Sequence, residues 1–130
     1  MKETHEEVVV AVPPPFQDER GAIHNLVEAP FGSVLLISSK AGAVRANHYH
    51  KTDYHYCWLQ SGRMIYYQRP VGSSAEPQAV TIEPGQVFYT PPMHEHAMRF
   101  LEDSIFLCFA RNSRQTADYE EDTVRVSLVS

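Results

Sequence analysis

The chain has 130 residues, 43% of them hydrophobic and 21% charged, with a formal net charge of -5. That length suits one domain around one core. The acidic balance without a basic cluster excludes a nucleic-acid partner, since phosphate contacts need massed Lys and Arg, and Arg45, Lys51, Arg63 and Arg69 are scattered. No apolar run reaches the ~20 residues that cross a bilayer, so no membrane partner is expected, and the polar, acidic stretch Met1 to Glu7 does not read as a signal peptide.

Short runs rich in Val, Ile, Tyr and Phe recur along the chain with turn residues between them, and helical periodicity is nearly absent. Strands are predicted at Val8–Val12, Ala22–Val27, Ser33–Ser38, Ala43–Tyr49, Tyr54–Gln60 and Arg63–Gln68, then at Ala79–Ile82, Gln86–Thr90, Glu95–Leu101, Ser104–Ala110 and Thr123–Leu128. Asp18-Glu19-Arg20-Gly21 reads as a turn. Ser61-Gly62 joins two apolar runs as a hairpin. Residues Pro70 to Pro77 form a surface loop, and Thr116 to Asp122 a single helical turn. The triple proline Pro13-Pro14-Pro15 keeps Val8–Val12 from folding back as a hairpin, which points to pairing with a sheet edge of a second copy. Residues 1–15 form an N-terminal arm, and residues 16–130 the body and C-terminal segment of one all-β domain, a sandwich or a barrel. Cys57 and Cys108 sit in apolar runs without C-x-x-C spacing, so they read as buried thiols of a reducing cytoplasm.

Five of the seven histidines fall in two segments, His48 to His55 and His94 to His96. Strand alternation puts His48 with His50, and His94 with His96. His55 is in phase with Cys57 and Leu59, and His96 with Met98 and Phe100, so both face inward. Imidazoles in an apolar interior are costly without partners, and one divalent metal satisfies several at once. Core histidines bonded to neighbours, or an acid–base pair without metal, account for the same pattern. His5 and His24 have no such company and are surface or structural. His94, at the start of its strand, is a supporting or substrate-facing group.

Gly42-x5-His48-x-His50-x4-His55-x6-Gly62 resembles the first motif of the cupin superfamily, with His55 where that motif carries Glu. Gly85-x5-Pro91-x-Met93-x2-His96 resembles the second, with Met93 at a glycine slot. The resemblance implies an antiparallel β-barrel or jelly roll of the RmlC-like type. It also implies one divalent transition metal, Zn, Ni, Fe, Cu or Mn, on His48, His50, His55 and His96. A narrower resemblance, from Asp18-Glu19-Arg20-Gly21 through Lys40 to Lys51, Pro92-Met93, Glu102-Asp103 and Asp118-Tyr119, is to the nucleotide-sugar 3,4-ketoisomerases. Those enzymes use a histidine pair and an arginine without metal, which implies catalytic roles for His50, His48 and Arg45. The chain departs from them at Val34-Leu35, where a tyrosine is expected, and at His55 and His96, which they lack.

The combined expectation is a metal-binding cupin, cytoplasmic and homodimeric, acting as an isomerase or epimerase on a nucleotide-linked or related carbohydrate. In that scheme His50 abstracts a proton next to a ketone, and Arg45 or a metal steadies the enediolate. Tyr54, Tyr56, Tyr66 or Tyr89 returns the proton. Arg45, three residues before His48, falls on the opposite strand face or reaches the rim to meet a phosphate. The alternatives are a metal-dependent oxygenase and a non-enzymatic small-molecule-binding cupin.

Overall fold

The computed structural model describes residues 7–130, with Thr116 and Asp118 described for their backbone alone. His5 lies outside the described residues. The strands are β1 (Val9–Val10), β2 (Phe16–Asp18), β3 (Gly21–Ile23), β4 (Ser33–Ser39), β5 (Val44–His50), β6 (His55–Ser61) and β7 (Met64–Pro70). They continue as β8 (Gln78–Ile82), β9 (Val87–Thr90), β10 (His94–Phe100), β11 (Ser104–Ala110) and β12 (Thr123–Arg125), with one helix among the described residues, α1 (Thr116–Asp122), before β12. Two antiparallel five-stranded sheets, ordered β1-β9-β6-β11-β4 and β12-β5-β10-β7-β8, pack face to face, and β2 and β3 form a separate hairpin. Leu59, Met64, Tyr66, Ile82, Phe88, Phe100 and Phe106, all at most 1% exposed, fill the space between the sheets.

The hairpin at Ser61-Gly62 forms as its sequence demands. Gly62 has φ 96°, and a Cβ there would lie 2.6 Å from the Asp103 carbonyl, so no other residue fits without a shift. Two expectations are corrected. The Ala22–Val27 strand is only β3, paired with Phe16–Asp18 across the turn that Asp18 and Arg20 close by hydrogen bonds of 2.9 and 3.1 Å. The Val8–Val12 run pairs within its own chain, Val9 opposite Phe88 and Val10 opposite Val87, so β9 supplies the sheet edge expected of a partner.

Two local irregularities position the site. Ala46 and Asn47 both take left-handed backbone, φ 70° and 59°. There the β5/β10 register slips, so two β5 residues oppose one on β10: His48 faces His96, while Arg45 faces Met98. The C-terminal segment holds this bulge. Leu128 and Val129 donate their backbone N–H groups to Asn47 Oδ1 at 3.1 and 3.0 Å, and Asn47 Nδ2 donates to the Val129 carbonyl at 2.9 Å. Met93 is also left-handed, φ 60°, at the slot where a glycine is the expected residue. Its N–H donates to the His50 carbonyl at 2.8 Å, tying the entry of β10 to the end of β5.

Candidate functional site

One sheet presents His48 and His50 from β5 and His96 from β10, and the other presents His55 from β6; all four are buried. The His48 ring is 4.7 Å from His50 and 4.8 Å from His96, centroid to centroid, and His50 is 4.8 Å from His55. His48, His50 and His96 offer ligand atoms that all lie within 4.8 Å of one another; His50, Asp53 and His55 form a second such group.

The neighbours of each ring decide where its lone pair points. His96 Nδ1 lies 3.2 Å from the His94 carbonyl, which only accepts, so Nδ1 carries the proton and Nε2 is the free donor to an ion. Thr123 Oγ1 donates to the Tyr119 carbonyl at 2.7 Å, leaving its lone pair to accept from His50 Nδ1 at 3.4 Å; Asp122 Oδ2 stands 3.6 Å from the same nitrogen. His50 Nε2 therefore faces the interior unprotonated. It and His48 Nδ1 are buried without a hydrogen-bond partner, a condition that buried polar atoms avoid.

Asp122 is fixed in turn. Its carboxylate accepts from the Thr52 and Asp53 backbone N–H groups at 2.8 and 3.2 Å and from the Thr52 hydroxyl at 2.8 Å. Asp53 accepts from the Asn112 N–H at 2.9 Å and meets His55 Nε2 at 3.0 Å. Sequence reasoning missed Asp53, Asp122 and Thr123. Only their pairing across the chain reveals them, although Asp53 lies two residues before His55.

Burial sets the electrostatics. It pulls His48 down to about 3 and His50 to about 4, with the other imidazoles adding to the effect, and it pulls His96 well below the ordinary range. These rings are neutral at pH 7, the form that binds metal. His55 differs: burial would lower it, but Cys108 and Asp53 outweigh that and raise it to about 10.

A cavity of about 150 Å³ lies against the cluster, bounded by His48, His55, His96, Arg45, Arg114 and Tyr119 among others. The bulge corrects the expected face of Arg45: it shares the inner face with His48 and Met98. Its Nε donates to Ser39 Oγ at 2.7 Å and its Nη2 to the Ser38 carbonyl at 2.9 Å. Arg114 stacks 3.9 Å over the Tyr119 ring, which is itself 5.8 Å from His50. Of the four tyrosines expected as proton carriers, Tyr66 alone faces the interior, bonded to Thr90 and Gln68. Tyr54 donates to the Pro30 carbonyl at 2.5 Å, and Tyr56 and Tyr89 are paired on the other face of the sheet from His55. His94 Nδ1 is taken by the Pro92 carbonyl at 3.1 Å. Arg20 is paired with Asp18 at the hairpin turn, away from the cluster.

Two facing antiparallel sheets with inward histidines on β5, β6 and β10 define a cupin barrel of the RmlC-like type. Solved structures of that type share the fold. QdtA, a sugar 3,4-ketoisomerase from Thermoanaerobacterium thermosaccharolyticum solved with TDP, superimposes with a TM-score of 0.72 at 15% identity, covering 95% of this chain and 91% of that one. ChmJ, a 3'-monoepimerase from Streptomyces bikiniensis solved with dTDP-quinovose, gives 0.68 at 18% identity over 82% of this chain and 65% of its own. The capsular polysaccharide assembling protein CapF from Staphylococcus aureus gives 0.67 at 21% identity over 89% of this chain, which spans only 34% of CapF. No family model matches the sequence, and no curated protein does. No helix among the described residues is long and apolar enough to cross a membrane.

Proposed function

We propose that this chain is a metal-binding cupin that isomerises or epimerises a nucleotide-linked keto sugar. The observation that carries the metal reading is the pair of buried, partnerless nitrogens His48 Nδ1 and His50 Nε2 beside His96, since one cation relieves the desolvation of all three rings. His48, His50 and His96 would hold the ion, with His55 as the fourth nitrogen at the edge of the set once metal binding displaces the proton that Asp53 and Cys108 hold on it. An all-nitrogen set suits Zn, Ni, Fe or Cu, and Mn less well. The ion would supply Lewis acidity toward a sugar carbonyl.

The sugar reading is supported by the cavity wall and by the ligands of the fold's relatives. Arg45 and Arg114 bring two guanidinium groups to a cavity that also has the Tyr119 ring, the combination that meets a phosphate and an apolar sugar or base face. QdtA and ChmJ were solved with TDP and a dTDP-sugar respectively. Arg45 steadies the carbonyl or phosphate oxygen, and the hydrogen bonds to Ser39 and the Ser38 carbonyl hold it at the rim.

A second reading is favoured by one specific observation. With His50 Nδ1 backed by Thr123 and Asp122, Nε2 is also aimed as a metal-free general base would be, with His48 beside it. The test is a panel of dTDP- and UDP-linked keto sugars in deuterated water, with and without chelator. Exchange of the proton next to the ketone that stops on metal removal supports the main reading. Exchange that survives it supports the second. Turnover that instead consumes O2, or binding without turnover, replaces both with the oxygenase or the binding-protein alternative.

We place the protein in the cytoplasm, in keeping with two free buried cysteines, and as a homodimer. Support for the dimer comes from the outer face of β4 and β11, where Val34, Leu36 and Ile105 are 50%, 74% and 40% exposed. Elution at the mass of one chain in gel filtration rejects the dimer.

A further inference from the structure

The site leaves one buried thiol pair unused. Cys57 on β6 and Cys108 on β11 are directly opposite in the antiparallel register, so both side chains leave the same face of the sheet. Each is 2% exposed, each thiol is within hydrogen-bond reach of the other, and both are free. Both line the cavity that also touches His48, His55 and His96.

We propose that Cys57 and Cys108 form a reversible redox modification site that closes to a cross-strand disulfide inside the barrel. Facing residues of an antiparallel pair have Cβ atoms about 4.5–5.5 Å apart, and a disulfide brings them to about 3.5–4.5 Å, so closure asks for a small local contraction rather than strand movement. The oxidant is of the peroxide class. One hydrogen peroxide accepts two electrons from the two thiols: one thiol sulfur attacks a peroxide oxygen, the O–O bond breaks, and water leaves behind a sulfenic acid. The second sulfur then attacks the first, forming the S–S bond and releasing a second water. Peroxide is scarcely larger than water, of which a cavity of about 150 Å³ holds several.

Closure has a consequence for the histidines. Cys108 lies beside the His55 imidazole as well as beside Cys57. A disulfide withdraws that thiol and leaves Asp53 as the partner of His55 on this side. The oxidation state of the pair thereby reaches the His50, Asp53 and His55 group without an outside ligand.

The test uses the intact chain, reduced and then exposed to hydrogen peroxide under native conditions. Remaining thiols are alkylated, and the unreduced digest is read by mass spectrometry. The expected result is one peptide pair joined through Cys57 and Cys108, an intact mass lower by two hydrogens, monomeric chains on a non-reducing gel, and full reversal by dithiothreitol. Because the bond closes a loop of ~50 residues, the oxidised chain should also unfold at a higher urea midpoint. In Cys57→Ser, Cys108 should take up oxygen instead. The proposal is overturned if both thiols stay reduced while the chain is folded, if the bond joins two chains, or if the bond forms only in urea. None of these readouts depends on metal or sugar.

Discussion

Thr123 and His50 stand in a fixed donor–acceptor relationship: the hydroxyl spends its proton on the Tyr119 carbonyl at 2.7 Å and so receives the Nδ1 proton of His50 at 3.4 Å. This contact, between a residue just after α1 and one at the end of β5, sets the tautomer that turns His50 Nε2 inward.

Thr123→Val removes that acceptor while keeping shape and β-branching. Its expected effect is a ten- to hundred-fold weaker affinity for Zn2+ or Ni2+, the usual scale for losing a partner of a ligating histidine, with a small change in stability. Titration calorimetry on the wild type and the variant measures it. An unchanged affinity would show that Asp122 alone orients the ring. Asp122→Ala should be worse on both counts, because three donors of the Thr52–Asp53 turn lose their acceptor.

The buried histidines give stability a definite pH dependence. His48 at about 3, His50 at about 4 and His96 lowered as well all lie below the unfolded value of 6.5. Between about pH 6.5 and 4 the unfolded chain therefore binds more protons, and stability falls as the pH falls. His55 has the opposite sign: at about 10 when folded, its contribution is complete below 6.5 and declines as pH rises toward 10. The apo protein should thus lose several kcal/mol between pH 7 and 4, since each ring costs about 1.4 kcal/mol for every pH unit through which it is charged only in the unfolded chain. Urea melts at both pH values check this. A His48→Gln variant should show a shallower loss.

Asn47 anchors the bulge that brings Arg45 to the inner face. Asn47→Ala keeps a left-handed non-glycine residue and loses the side-chain bonds to Leu128 and Val129. The expected cost is about 2–4 kcal/mol, from strain and lost hydrogen bonds together. Asn47→Gly relieves the backbone part and should recover about 1 kcal/mol of it. Equal destabilisation by both, measured by urea denaturation, would show that the backbone conformation contributes nothing.

Much of this architecture is legible in the residues. The alternation of His55 with Cys57 and Leu59, and of His96 with Met98 and Phe100, names the inward faces correctly because strand period is a local property. The glycine slot at Met93 is explained by its left-handed backbone. Alternation puts Arg45 on the wrong face because a one-residue bulge reverses it, and nothing in Ala46-Asn47 announces a bulge apart from the tolerance of Asn for that conformation. The short strand Phe16–Asp18 is hidden beside a triple proline. Asp53, Asp122 and Thr123 are invisible for a different reason: their roles depend on partners such as Asn112 and His50, and Asp53 and Asp122 stand 69 positions apart with no periodic signal to link them. Of the four tyrosines offered as proton carriers, three are engaged elsewhere or on the outer face, and Tyr66 is the one that faces the interior.

The central claim is one ion on His48, His50 and His96, and metal content measured by elemental mass spectrometry tests it most directly. Protein loaded with Zn2+, Ni2+ or Fe2+ and then dialysed should retain about one ion per chain. His48→Ala, His50→Ala and His96→Ala should each lose nearly all of it, His55→Ala should retain it with weaker affinity, and His24→Ala should match the wild type. Wild-type protein that keeps no ion after loading, or triad variants that keep as much as the wild type, would contradict the account.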